Sequence, residues 1–185
     1  PPGVAFVAVS PKAEALMQKS TAPKYYFDLK KYKKAAAQTD TPFTPAIGIV
    51  IALVESLKMV RETGIDHLLK KYERLAKGTR AAAQALGLSL LADPSCISNS
   101  VTAMTLPAGV DGEKLAKIMR DTHGISVAGG QDQLKGKIIR IAHMGVIDEY
   151  DILTGISCLE KVLKEMGYSF TLGAGVAAAQ KAFNS

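Results

Sequence analysis

Three features of this chain could do chemistry, and each depends on its neighbours. Arg140 sits in Lys137-Ile138-Ile139-Arg140-Ile141-Ala142. Strand alternation puts Ile139 and Ile141 on one face and Ile138, Arg140 and Ala142 on the other. A guanidinium among small and apolar neighbours suits bidentate binding of a carboxylate. An edge-strand arginine in solvent gives the same pattern. Thr44 stands directly before Pro45 and a long apolar stretch. A threonine N-cap with proline at the first helical position leaves backbone N–H groups at the positive end of the helix, where phosphate binds. A plain cap reads identically. Gly129-Gly130-Gln131 allows close backbone approach to a ligand, or simply a flexible turn. His143 follows the arginine strand, where a lone histidine reads as structural. There is no Walker-type loop and no GxGxxG opening a helix.

The elements that must position these residues can be read from punctuation and periodicity. Val4–Val9 is a continuous apolar run, the pattern of a strand buried on both faces. Such a strand needs neighbours on both sides, so a preceding segment is expected. Ser10-Pro11 predicts a helix running to about Lys19. Residues 21–40 read as loop, with one strand at Lys24–Leu29. Pro45 opens a helix ended by Gly64. A second helix, Asp66–Leu86, carries Leu68, Tyr72, Leu75, Thr79 and Ala82 at helical spacing and stops at Gly87. Then come strands at Leu88–Leu91 and Ser98–Leu106, and a helix from Asp111 to Gly124. Further strands are predicted at Ile125–Ala128 and Lys137–Ala142, followed by a helix from Asp148 to Gly167. The tail, 169–185, predicts one alanine-rich turn or short helix. The second half thus reads β-β-α-β-β-α, an α+β domain with an antiparallel sheet and helices on one face.

Composition narrows the function classes. The 185 residues are 48% hydrophobic and 22% charged, as in ordinary globular domains. The longest apolar run, 46–54, falls far short of the ~20 residues a membrane span needs, so no membrane partner is expected. The net charge of +6 gathers at 24–34 and 70–80. No nucleic-acid-binding motif accompanies it, so solvated faces, or attraction of anionic substrates, are the expected meaning. The two cysteines, Cys96 and Cys158, are far apart and belong to no motif, as reduced thiols of a cytoplasmic protein would be. No histidine has metal-ligand spacing to another histidine or a cysteine, and no metal is expected.

Together, Pro1-Pro2-Gly3 before an apolar run, Thr44-Pro45 opening a helix with Glu55-Ser56-Leu57, Gly129-Gly130, Gly136-Lys137-Ile138-Ile139-Arg140-Ile141 and Met144-Gly145 resemble the class V, fold-type-I aminotransferases. The likeness is nearest to the alanine–glyoxylate and serine–glyoxylate enzymes, and some bacterial relatives are labelled small subunit of soluble hydrogenase. It runs from Pro1 to about Gly167. The resemblance implies a C-terminal fragment: the end of the large pyridoxal-phosphate (PLP) domain at 1–45, interdomain helices at 46–87 and a small α+β domain at 88–185. It implies that Arg140 binds the substrate α-carboxylate, with Gly130 near the substrate entrance. It implies that Thr44 reaches the PLP phosphate of the other subunit in a homodimer. The family's PLP lysine lies a few residues before Pro-Pro-Gly, upstream of this chain, as do its ring-stacking aromatic and ring-nitrogen aspartate. The fragment alone is therefore expected to lack transaminase activity. Its partners would be small amino acids, keto acids and the remaining N-terminal part of the enzyme. Two other readings stay open: a redox subunit, following the hydrogenase label, and a non-catalytic basic interaction module. Scattered cysteines count against iron–sulfur or nickel–iron chemistry within the chain.

Overall fold

The computed structural model describes residues 3–184 and divides into two units, Pro1–Thr63 and Gly64–Ser185. Pro1, Pro2 and Ser185, part of the stretches read above, lie outside the described residues.

In the first unit, helix α1 (Pro11–Lys19) starts as its sequence predicts: the Ser10 hydroxyl accepts the Ala13 N–H at 3.2 Å, with Pro11 in the first turn. Where a strand is predicted near Lys24–Leu29, the chain instead turns into α2 (Leu29–Ala36). The Asp28 carboxylate caps it, accepting the Lys30 N–H at 3.1 Å, and a Lys33–Glu14 ion pair ties α2 to α1. The Asp28 cap commits the chain to a helix from Leu29, the last residue of the expected strand. Residues 4–9 also depart from expectation. They form no strand, and Phe6 and Val7 are 80% and 65% exposed. A strand exists only through ladder hydrogen bonds to a neighbour, and no described residue of this unit supplies them. Helix α3 (Ile47–Thr63) buries none of its residues within the unit.

The second unit opens with α4 (Ile65–Ala85), then β1 (Ser89–Leu90), a 3-10 turn at Pro94–Cys96 and β2 (Val101–Thr105). Next come α5 (Gly112–His123), β3 (Ala128–Gly129), a 3-10 turn at Asp132–Leu134, β4 (Ile138–Ala142), α6 (Glu149–Glu165) and α7 (Ala174–Phe183). The strands pair antiparallel in the order β1-β2-β4-β3. Met104 and Ile139 face a core made with Ala83 of α4 and Leu86 at its C-cap, Leu115 and Met119 of α5, and Leu159, Val162 and Leu163 of α6. The α+β reading, with helices on one face of an antiparallel sheet, therefore holds. A second cluster joins Leu75 and Ala82 of α4 to Ile152 and Ile156 of α6 and to Ala179 and Phe183 of α7.

The caps that delimit these helices are visible in the sequence. The Asp111 side chain accepts the Glu113 N–H at 2.8 Å, and Gly124, at φ +69°, ends α5 in the left-handed conformation that glycine adopts freely. Asp148 accepts from Tyr150 and Asp151, while Asp151 accepts the Asp148 N–H, closing a capping box at the start of α6. The tail takes the second of the two forms its sequence allows, a short helix: α7 has ten residues.

Candidate functional site

Arg140 lies at the centre of β4, paired with Ala103 of β2 on one side and Ala128 of β3 on the other. Ile139 and Ile141 pack into the helical core, so alternation places Arg140 on the opposite face of the sheet. Its neighbours there by register are Val101, Ala103, Thr105, Ala128, Ile138 and Ala142. None is acidic. The guanidinium is half-buried, and its Nε donates to the Gly129 carbonyl at 2.9 Å. Among the described residues no carboxylate pairs with it. The bland alternative, an edge-strand arginine, is removed by the pairing order: β4 has a partner on both sides. Its terminal nitrogens have no protein acceptor among the described residues, and a guanidinium so placed can take an anionic ligand.

The loop between β3 and β4 holds this arrangement. Gly129 pairs with Ile139, which brings its carbonyl beside Arg140. The chain then folds through the 3-10 turn at Asp132–Leu134, where Leu134 N–H bonds the Gln131 carbonyl at 2.9 Å and Lys137 N–H bonds the Leu134 carbonyl at 3.0 Å. Gly130 is packed so closely that a Cβ built on it would lie 2.0 Å from the Leu134 oxygen. Asp132 takes φ +45°, an uncommon conformation that aspartate tolerates better than most residues. The sequence pointed to the two glycines; nothing in it marked Leu134 as the backbone they close upon.

Thr44, in the first unit, is exposed. The sequence predicts it as the cap of a helix starting at Pro45. Instead Ile47 N–H bonds the Pro45 carbonyl at 2.9 Å in a tight turn, and the first helical bond runs from Val50 to Ala46 at 3.0 Å. Thr44 therefore stands two residues ahead of the cap position, and its hydroxyl has no hydrogen bond among the described residues.

His143 is structural, as its isolation suggested. It is 0% exposed, its Nδ1 lies 3.2 Å from the Asn99 carbonyl, and its Nε2 has no partner among the described residues. Because a carbonyl only accepts, Nδ1 carries the proton. Burial pushes its pKa down; the nearby Arg80 charge acts the same way, and the Asn99 bond opposes both. Arg80 in turn donates to the Asn99 side chain at 3.0 Å and the Ser98 carbonyl at 3.3 Å, which ties α4 to the entry of β2. Cys158 is buried in the core, and burial pushes its thiol pKa up, whereas Cys96 is exposed.

No family model matches the chain. It is 47% identical over its whole length to the small subunit of soluble hydrogenase of Synechococcus sp., covering 48% of that protein. It is 34% identical, over 97% of its length, to serine–glyoxylate aminotransferase of Arabidopsis thaliana, covering 45% of it. Among solved structures, pyridoxamine–pyruvate aminotransferase from Mesorhizobium loti superposes with a TM-score of 0.88 at 27% identity, over 95% of this chain and 46% of that one. The chain thus spans about half the length of the curated relatives it matches.

Proposed function

We propose that this chain, which is similar over almost its whole length to aminotransferases, belongs to the class V, fold-type-I aminotransferase family and is the C-terminal portion of a PLP enzyme. That enzyme moves an amino group from a small amino acid, alanine or serine, to a keto acid such as glyoxylate. The observation that carries this reading is Arg140, a half-buried guanidinium on the sheet face opposite the core of its unit, with the Gly129 carbonyl as its only hydrogen-bond partner among the described residues. Amino acids and keto acids share one group, the carboxylate, and a single fixed guanidinium serves both halves of the exchange.

The residues present fit part of the cofactor's needs. Thr44 offers an exposed hydroxyl for the phosphate. The face around Arg140 carries alanine, valine, isoleucine and threonine; it suits a substrate carboxylate and offers no aromatic or acidic group to the pyridine ring. In this reading the lysine, stacking aromatic and ring-nitrogen aspartate come from the preceding part of the enzyme. When bound, PLP supplies the electron sink that lets the amino acid's Cα–H bond break. Arg140 binds the carboxylate and so turns the Cα–H towards the proton-accepting lysine. Thr44 serves the cofactor of the second subunit in a cytoplasmic homodimer. Residues 1–45 finish the PLP domain, 46–87 supply the connecting helices and 88–185 form the small domain. No helix among the described residues is long and apolar enough to cross a membrane.

The redox alternative rests on the name of the Synechococcus relative. Its chemistry requires clustered thiolates, and this chain places one cysteine in the core and the other on the surface.

Kinetics of the complete enzyme test the proposal. Arg140→Ala removes a charged hydrogen-bonded pair, about 1.5–3 kcal/mol, so kcat/KM for the amino donor falls about 10- to 100-fold. Arg140→Lys recovers part of the loss. Unchanged kinetics in Arg140→Ala would take Arg140 out of the site and leave the reading without its support.

A further inference from the structure

We infer that Gly130 is a positioning residue for Arg140, acting through the loop that closes on Leu134. The inference rests on the reading of Arg140 as the carboxylate clamp. Bidentate binding requires the guanidinium plane to be fixed, and rotation about Cδ–Nε is what would spoil it. The bond from Nε–H to the Gly129 carbonyl, 2.9 Å, blocks that rotation while leaving both terminal nitrogens without a protein acceptor among the described residues. The position of that carbonyl depends on the next residue. A Cβ on Gly130 would meet the Leu134 oxygen at 2.0 Å, the Leu134 carbonyl carbon at 2.5 Å and Ile138 Cγ1 at 3.0 Å.

Two of these atoms are backbone, so no side-chain rotation relieves the contact. The Leu134 carbonyl is also the acceptor for Lys137 N–H, the residue that leads into β4. An added methyl therefore forces apart Gly130 and Leu134, and with them the carbonyl that steers Arg140. Gly130 does not itself take up positive φ, so alanine is excluded by space and not by backbone conformation. The requirement for glycine is a close approach of two backbone segments, made beside the carbonyl that holds the substrate-facing arginine.

A double-mutant cycle in the complete enzyme tests this. The readouts are KM and kcat for the amino donor, and the dissociation constant of labelled propionate, an unreactive carboxylate, followed by NMR on cofactor-free protein. Gly130→Ala should raise KM and the propionate constant about tenfold, with kcat within about threefold. In an Arg140→Ala background the same change should move either constant by less than about twofold, because the residue it acts through is gone. Equal effects in both backgrounds would overturn the positioning role and leave the function reading intact. Arg140→Ala without effect on KM or propionate would instead overturn the function reading, and the inference with it. Should Gly130→Ala fail to fold, Asp132→Val strains the same loop from its exposed side, since a β-branched residue resists φ +45°. Its effect should vanish in the Arg140→Ala background likewise; an undiminished effect there counts against the inference.

Discussion

The carboxylate of Glu160 accepts the backbone N–H of Gly175 at 2.8 Å, although the two residues belong to different helices. The same carboxylate also accepts the N–H groups of Gly173 at 2.6 Å and Val176 at 3.1 Å, and Glu160 is 2% exposed. Helix α7 has no side-chain cap of its own. Glu160 of α6 fills that place from across the interface, satisfying donors that a helix start leaves open and setting negative charge against its positive end.

Glu160→Ala should therefore destabilise the chain by about 3 kcal/mol, since it strands buried donors as well as removing charged hydrogen bonds. Glu160→Gln, which keeps an acceptor oxygen without the charge, should lose less. Urea unfolding midpoints check the order; a wild-type midpoint for Glu160→Ala would mean that water replaces the carboxylate.

Two glycine substitutions should move stability in opposite directions. A Cβ on Gly78 of α4 would lie 2.1 Å from the Phe183 ring, so Gly78→Ala displaces a buried aromatic and should destabilise by about 1–3 kcal/mol. Gly155, inside α6, has nothing within 4 Å of its Cβ position. Gly155→Ala should stabilise by about 0.5–1 kcal/mol through helix propensity. Thermal melts of the two variants should fall on either side of the parent.

His143 should make folding sensitive to mild acid. Its folded pKa lies below its ordinary value near 6.5, chiefly through burial. The unfolded chain thus takes up its proton first. Stability from this group is present above the unfolded value and is lost as pH falls through the folded one. Denaturant titrations between pH 7 and pH 5 should show stability falling, and His143→Gln should flatten that slope. An unchanged slope would show that other groups govern acid sensitivity.

The capping box of α6 gives a local prediction. Asp148 accepts from Tyr150 at 2.8 Å and Asp151 at 3.1 Å, and Asp148→Ala should lower stability by about 1–2 kcal/mol. Asp148→Asn should retain most of it. Hydrogen exchange at residues 150 and 151 would localise the loss to the first turn of the helix.

Asp111, Asp148, Gly87, Gly124 and Gly167 were legible in the sequence because capping and left-handed φ are decided within a few residues of chain. The alternation at 137–142 was legible for the same reason: side-chain direction in a strand follows from its own backbone. So was the antiparallel sheet. The order β1-β2-β4-β3 was decided elsewhere, because it depends on which distant segments meet. That order puts Arg140 inside the sheet rather than at its edge. The bond from Arg140 to Gly129, the closure of Gly130 on Leu134 and the capping of α7 by Glu160 all join residues whose partners no spacing rule names. Residues 4–9 mark the same divide from the other side. Their apolar pattern favours a strand, yet a strand is a relation between segments, and no described residue of their unit completes it.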